Sequence, residues 1–191
     1  KNFYSFGDST TIDFTVNDKT PKNNGYFESQ SGTRLSKVEA VIGPNASGKT
    51  NLLKILPFLK WLIIDSFIEK PDSPIMVQPF VFGGKKDQPT ELSVVFEIDE
   101  KVYTYNFILN QQKILSEELI LTSFVKEKKS SKKIFIRKWN DKTNQYDFID
   151  KNFNLPKGFS NLLRLNASVI GSASRLNHKE SQKIIKFWQQ V

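Results

Sequence analysis

Apolar and polar side chains alternate along two neighbouring stretches of this chain. Apolar residues occupy every second position over 92–98 and again over 103–109. A repeat of two residues is typical of strands that bury one face and leave the other in water. The intervening Asp99, Glu100 and Lys101 favour a turn. We therefore predict an antiparallel hairpin with one solvent-exposed face.

Other β-prone runs flank this hairpin on both sides. Upstream, the sequence predicts two short strands over 2–6 and 10–15, a loop over 18–36 and a short strand over 38–42. Downstream, it predicts three more strands over 114–122, 133–139 and 146–149, the last two joined by a turn over 140–144. Most of the predicted strands thus follow one another directly, which favours an antiparallel block.

A helical repeat appears in three places. Apolar residues recur three or four positions apart over 50–67, which predicts a helix. Residues 159–175 are expected to be helical in part, and 177–190 form a predicted helix with Ile184, Ile185 and Trp188 on one side. The prolines and glycines within 70–90 predict a connection without regular structure.

A phosphate-binding motif lies between the short predicted strand at 38–42 and the first predicted helix. The pattern G-x-x-x-x-G-K-[ST] is filled by Gly43, Gly48, Lys49 and Thr50. In such a loop, backbone N–H groups surround a phosphate chain, the lysine stabilises its charge, and the threonine hydroxyl ligates Mg²⁺. The following helix points its positive end at the anion. We therefore predict that ATP and Mg²⁺ bind here, with Thr50 holding the metal. The predicted nucleotide-binding residues are Gly43, Pro44, Asn45, Ala46, Ser47, Gly48, Lys49, Thr50 and Asn51.

Hydrolysis also needs a carboxylate on a second buried strand. Two places in the sequence resemble the pattern that supplies it, an apolar run that ends in Asp. Asp65 follows an apolar run but lies at the far end of the predicted helix, about 24 Å from the loop at 1.5 Å per residue. Asp99 and Glu100 follow another apolar run but are better explained as the hairpin turn. We expect the second half of the active site to lie outside these residues.

Composition excludes several other classes of protein. The 191 residues contain no cysteine, which excludes a disulfide scaffold and a cysteine-built zinc site. The single histidine, His178, argues against a histidine metal site or a Ser-His triad and is most simply a polar residue near a helix start. No apolar run is long enough to cross a membrane and no signal peptide is visible, so we expect a cytoplasmic protein with no membrane partner.

The net charge of +8 leaves two interpretations open. A lysine-rich run could contact DNA or RNA, or it could be a solvated hairpin tip. Its members are Lys126, Lys128, Lys129, Lys132 and Lys133.

Three features together resemble the heads of ABC-type ATPases of the SMC, RecF and overcoming-lysogenization-defect nuclease class. They are the opening NFYSF with TIDF at 11–14, the loop GPNASGKTNLL at 43–53, and the antiparallel block that follows. The most similar members are AAA-family ATPases of bacterial anti-phage systems, including abortive-infection and retron systems. The segment RLNAS at 164–168 is also similar to that group.

The resemblance implies an α/β P-loop NTPase fold, specifically the N-terminal lobe of an ABC-type head with a mixed or antiparallel β block and flanking helices. Residues 1–70 would form the P-loop core, 71–155 the β block and 156–191 a helical segment. The C-terminal lobe, with its signature and Asp-Glu strand, is expected outside this chain, since residues 115–118 lack the glycines of a signature. Asn166 would take the position of a loop residue that contacts Mg²⁺ or the attacking water, or else would cap a helix. Phe6 would stack on adenine or belong to the core.

Two functions follow from the resemblance and stay open at the level of sequence. In the first, ATP drives the dimerisation of two heads, and the complete protein hydrolyses the ATP. This cycle gates a nuclease or toxin effector, or the processing of nucleic acid, in anti-phage defence. This lobe alone would bind ATP without turnover. In the second, the protein is a nucleotide-binding assembly scaffold or sensor with little turnover. The implied partners are the protein's own C-terminal lobe and a second head, in a homodimer or higher oligomer.

Overall fold

The computed structural model describes residues 1–17, 19–21, 25–125 and 128–191. Its strands are β1 (Tyr26–Glu28), β2 (Arg34–Ser36), β3 (Thr90–Ile98), β4 (Lys101–Leu109), β5 (Ile114–Val125), β6 (Lys128–Asn140) and β7 (Gln145–Asp150). Its helices are α1 (Lys49–Leu53), α2 (Ile55–Ile64), α3 (Val169–Ser174) and α4 (Lys179–Gln190), with a 3₁₀ turn at Phe159–Leu162.

Five strands form the larger sheet, and each pairs with the next along the chain in the order β3-β4-β5-β6-β7. Every pairing in this sheet is antiparallel. The β3–β4 turn places Asp99 and Glu100 in the left-handed region, with φ of 47° and 63°. Two such residues in a row match the twist of a tight hairpin. The predicted antiparallel block is therefore confirmed, and its strands extend a few residues beyond the predicted bounds.

One face of this sheet packs against the helices. Alternate residues of β3 and β4 point inward, as their spacing predicts, and α2, α3 and α4 contact one another on that side. The fully buried members of this core include Leu62, Ile63, Tyr105, Leu119, Phe135, Ile170, Ile184 and Trp188. The core thus joins the β block to the helices at both ends of the chain.

The predicted strands near the start of the chain are wrong. Residues 2–6 form a tight turn closed by a bridge between Phe3 and Phe6, and residues 10–15 contribute only a bridge from Thr15 to Leu35. The region 18–36, predicted as a loop, contains the β1–β2 hairpin. Short polar strands without an alternating apolar face give little sequence signal, which explains the error.

The segment 38–42 is not a strand, although its residues are β-prone. Val38 is 80% exposed and Ile42 is 92% exposed. A strand needs a neighbour to accept and donate its backbone hydrogen bonds, and no described strand pairs with this segment. The prediction failed because β propensity measures how well a residue suits a sheet. It does not supply the neighbouring strand that a sheet requires.

The helix predicted over 50–67 is two helices, α1 and α2, separated at Lys54. Pro57 lies in the first turn of α2 and has no N–H to donate to the carbonyl of Leu53, which interrupts the ladder. The second helix ends at Ile64, where the buried hydroxyl of Ser66 donates to the carbonyl of Leu62 at 2.5 Å. Asp65 follows α2 directly, at the end away from the phosphate loop.

Candidate functional site

The phosphate loop occupies residues 43–48 and leads directly into α1. Gly48 has φ of 93°, and a Cβ built there would lie 2.6 Å from the Oγ of Ser5. A Cβ on Gly43 would lie 2.9 Å from the Oγ of Ser47. Ala46 also takes a left-handed backbone, with φ of 63°. Both motif glycines therefore stand where a side chain does not fit, as the spacing predicts.

Lys49 bends back over the loop that precedes it. Its ammonium donates to the carbonyl oxygens of Gly43 at 2.7 Å and Pro44 at 2.6 Å. Thr50 is exposed in the first turn of α1, and its hydroxyl has no hydrogen-bond partner within the described part of the chain. A cation above the loop and a free hydroxyl beside it are the two side-chain groups that this motif needs.

The N-terminal turn supports the loop from outside. The amide of Asn51 donates to the Oγ of Ser5 at 3.1 Å. The ring of Phe6 is half-buried, and its edge lies 3.6 Å from the position that a Cβ on Gly48 would occupy. Phe6 therefore lies against the phosphate loop and not in the central core. Its stacking on adenine stays a prediction.

Asn2 holds this turn in place. It is 1% exposed, and its amide nitrogen donates to the carbonyls of Lys85 at 3.0 Å and Gln88 at 2.8 Å. Its amide oxygen accepts from the N–H of Phe80 at 3.0 Å. The residue has φ of 56°, a conformation that asparagine tolerates better than most residues. The opening NFYSF motif thus connects the loop over 80–89 to the phosphate loop.

The residues present fit a nucleotide with its Mg²⁺. The loop backbone is exposed, its two glycines exclude side chains from the cradle, and Lys49 can exchange carbonyl partners for phosphate oxygens. No described carboxylate contacts Lys49 or Thr50. The described part of the chain can hold a phosphate group but places no carboxylate in contact with Lys49 or Thr50.

Asn166 lies far from this loop. It is 2% exposed, and its amide donates to the carbonyls of Lys70 at 2.8 Å and Ser73 at 3.0 Å. These carbonyls follow the C-terminal end of α2, whereas the phosphate loop precedes α1, so the ten residues of α2 alone, about 15 Å at 1.5 Å per residue, lie between them. Asn166 does not cap α3, since that role belongs to Ser168. Its assignment to Mg²⁺ or the attacking water has no support in these contacts and stays a prediction.

A buried ion pair behind the RLNAS segment is absent from the sequence-based prediction. Glu117 of β5 and Arg137 of β6 stand opposite each other with no exposure, and their side chains meet at 2.6 Å. Arg137 donates to the carbonyls of Arg164 and Ala167, while Glu117 accepts from the N–H of Val169. Burial raises the pKa of Glu117, and Arg137 opposes that shift. Only the strand register could have revealed this pair, because each residue alone looks like an ordinary strand charge.

Three smaller predictions are settled by the contacts. His178 caps α4, its Nδ1 accepting from the N–H of Ser181 at 3.2 Å, as expected of a polar residue at a helix start. Asp99 lies in the β3–β4 turn and pairs with Lys183 at 2.6 Å. Residues 115–118 lie within β5 and form no signature loop.

The lysine-rich run is only partly within the described residues. Lys126 lies outside them, and Lys128 and Lys129 begin β6. Lys132 is exposed, whereas Lys133 pairs with Glu118 at 2.6 Å. No described helix is long and apolar enough to cross a membrane.

Comparison with known proteins gives one match. A family model described as "AAA domain, putative AbiEii toxin, Type IV TA system" matches residues 40–178. This range covers well over half of the chain and includes the phosphate loop, the whole larger sheet and the RLNAS segment. No curated protein and no solved structure matches the chain.

Proposed function

The chain belongs to this AAA-domain family, and on that basis we propose that it is the ATP-binding lobe of an ABC-type, SMC-like ATPase. Family membership makes it a P-loop NTPase domain. The observation that carries the proposal is the loop itself, with Lys49 above the carbonyls of Gly43 and Pro44 and Gly48 held at φ of 93°. A turn that binds no anion would not require this arrangement of a lysine and a glycine.

Within the proposal, each loop residue has a defined task. Lys49 would neutralise the β- and γ-phosphate oxygens, and the Thr50 hydroxyl would ligate Mg²⁺. Gly43 and Gly48 would allow backbone N–H groups to approach the phosphates. Ser5 and Asn51 would hold the loop against the N-terminal turn. Bound MgATP would supply the transferable γ-phosphate.

The exposed apolar segment before the loop supports a second lobe. Val38, Val41 and Ile42 are unpaired in the described structure, beside the site where a nucleotide would bind. A lobe that added strands on either side of this segment would bury these side chains and bring the missing carboxylate to the phosphates. We propose that the protein's own C-terminal lobe does this, and that a second head completes the site in a dimer or higher oligomer.

The biological role follows from the family and is part of the same proposal. The family description names a toxin of a toxin–antitoxin system. We propose that ATP-driven closure of two heads, and reopening on hydrolysis, gates a nuclease, a toxin or nucleic-acid processing in anti-phage defence. The second candidate is an assembly scaffold or sensor that binds ATP with little turnover.

The test is a calorimetric titration of MgATP, with phosphate release followed in the same samples. The 191-residue chain and the full-length protein that contains it are compared as wild type, Lys49→Ala and Lys70→Ala. We expect Lys49→Ala to weaken binding about ten- to hundredfold, since it removes a charged donor to phosphate. Lys70 is exposed beyond the end of α2 and forms no ion pair with a described residue, so its variant should bind as the wild type does.

The outcomes separate the candidates. Binding by the lobe with turnover only in the full-length protein supports the ATPase, and binding without turnover in either supports the scaffold. If Lys49→Ala leaves the affinity unchanged, the loop is not the nucleotide site. Turnover by the 191-residue chain alone would contradict the division of the site between two lobes.

A further inference from the structure

A basic cleft lies between one end of the larger sheet, on the face that packs against the helices, and the start of α4. It encloses about 530 Å³. One wall carries Lys101 and Tyr103 of β4 and Lys132 of β6, and the other carries residues 177–180. Asn152 and Asn154 lie at its side, after β7. None of these residues belongs to the phosphate loop, and we call this recess the α4 cleft.

Positive charge dominates the α4 cleft. Lys101, Lys132 and Lys179 line it, and neither Lys132 nor Lys179 forms an ion pair with any residue that the structure describes. Among the described residues of its lining, Glu180 supplies the one carboxylate. That carboxylate accepts a hydrogen bond from the hydroxyl of Tyr103 and lies 3.9 Å from the ammonium of Lys101.

The other polar groups of the cleft include His178 and three asparagines. His178 caps α4 through Nδ1, and its Nε2 lies 2.8 Å from the carbonyl oxygen of Phe153, so both ring nitrogens already have partners. The amides of Asn152, Asn154 and Asn177 are exposed. The N-terminus of the twelve-residue α4 adds its partial positive charge to the same recess.

We propose that the α4 cleft binds the sugar-phosphate backbone of a single nucleic-acid strand. Hydrated, flexible ammonium groups suit phosphates, and exposed amides suit the remaining phosphate and sugar oxygens. Among the side chains that the structure describes, the lining offers no exposed aromatic face, since Tyr103 and Phe153 are buried and the His178 ring packs against Phe153 at 4.4 Å. A free nucleotide held by its base would need such a face, whereas a backbone does not. A double helix is too wide to enter a recess of this volume.

This site differs from the one that the lysine-rich run suggests. Of the lysines in that run whose side chains the structure describes, Lys132 lines the α4 cleft and Lys133 does not, and the other two lysines of the cleft come from β4 and α4. The inference does not depend on the proposed ATPase function, because no residue of the phosphate loop takes part.

The first test compares two triple variants of the 191-residue chain by fluorescence anisotropy with a labelled single-stranded oligonucleotide. Lys101→Gln/Lys132→Gln/Lys179→Gln removes the charge of the cleft. Lys70→Gln/Lys142→Gln/Lys157→Gln removes the same charge from exposed lysines elsewhere that form no ion pair within the described residues. We expect the cleft variant to bind about tenfold or more weakly, and its slope of log affinity against log salt to fall by about 2. The control variant should bind within about twofold of the wild type.

The second test uses Glu180→Gln, which removes the negative charge and retains an acceptor for Tyr103. We expect tighter binding by about threefold, a gain that misfolding cannot imitate. Equal weakening in both triple variants would overturn the assignment, and so would no binding by the wild-type chain. Displacement of the oligonucleotide by polyglutamate of equal charge would also overturn it, because the cleft would then select any acidic polymer.

Discussion

At the residue scale, Gly48 meets two independent constraints. Its φ of 93° lies where L residues with a Cβ are strained, and its Cα faces Ser5 so closely that a Cβ would displace the serine hydroxyl. The motif spacing predicts the glycine but not the second constraint, which comes from a contact across the fold. The serine that would be displaced is the one that binds Asn51.

We predict that Gly48→Ala lowers the free energy of unfolding by about 2 kcal/mol, since it adds left-handed strain and breaks the Ser5–Asn51 hydrogen bond. Gly158→Ala is the matched control, because Gly158 has φ of 78° and open space around it. It should lose only the strain, about 1 kcal/mol. Chemical denaturation measures both. In a Ser5→Ala background the two glycine substitutions should cost the same, and a persistent difference would show that Ser5 is not the obstacle.

The position of the phosphate-loop motif could be read from the sequence because its chemistry fixes the spacing of Gly43, Gly48 and Lys49. The supports of the loop could not, since Asn2 and Ser5 act through contacts with residues 80–88 and Asn51 that no local pattern encodes. Asn166 is a different case. The resemblance to a family motif suggests a role near a nucleotide, whereas its amide binds the carbonyls after α2, so that role stays a prediction.

At the element scale, the larger sheet is the part of the fold that the sequence predicts best. Apolar and polar residues alternate clearly along β3 and β4, and all five strands follow one another, so each finds its partner next along the chain. The segment 38–42 has equal β propensity but no described neighbour, and it forms no strand. The Glu117–Arg137 pair joins β5 and β6 to residues 164–169, which makes the position of α3 dependent on two buried charges.

We predict that Arg137→Met lowers the free energy of unfolding by about 3–5 kcal/mol, because it leaves Glu117 buried without its partner and two carbonyls without a donor. The double variant Glu117→Gln/Arg137→Met should recover part of that loss. Lys138→Met is the control on the same strand, with an exposed side chain. Thermal or denaturant unfolding of the set measures the coupling. A double variant less stable than Arg137→Met would show that the charge on Glu117 is not the source of the cost.

At the scale of the whole molecule, the larger sheet carries two buried tyrosines, Tyr103 and Tyr105, and a half-buried one, Tyr146. Burial raises the pKa of Tyr103, Tyr105 and Tyr146, and Glu180 and Glu117 reinforce the shift at the first two. In the unfolded chain these groups ionise near 10, the ordinary value. Stability from a raised pKa is complete below the unfolded value and is lost as the pH rises above it.

We predict that the protein unfolds in alkali, with stability falling above pH 10 by about 1.4 kcal/mol per pH unit for each tyrosine that stays protonated in the fold. Tyrosinate absorbance and far-ultraviolet circular dichroism, followed in one titration, should change together. Tyr103→Phe should reduce the absorbance step that accompanies unfolding. Ionisation of these tyrosines with an unchanged dichroism spectrum would contradict the prediction.

The neighbour-to-neighbour pairing of β3 to β7 also sets an order of events during folding. Each hairpin of the sheet closes over a short stretch of chain, whereas the contacts that fix the phosphate loop span 46 residues between Ser5 and Asn51 and 83 between Asn2 and Lys85. Short closures are fast and long ones slow. We expect the sheet to condense first and the N-terminal turn to dock last, so that competence to bind a nucleotide is the final property the newly made chain acquires.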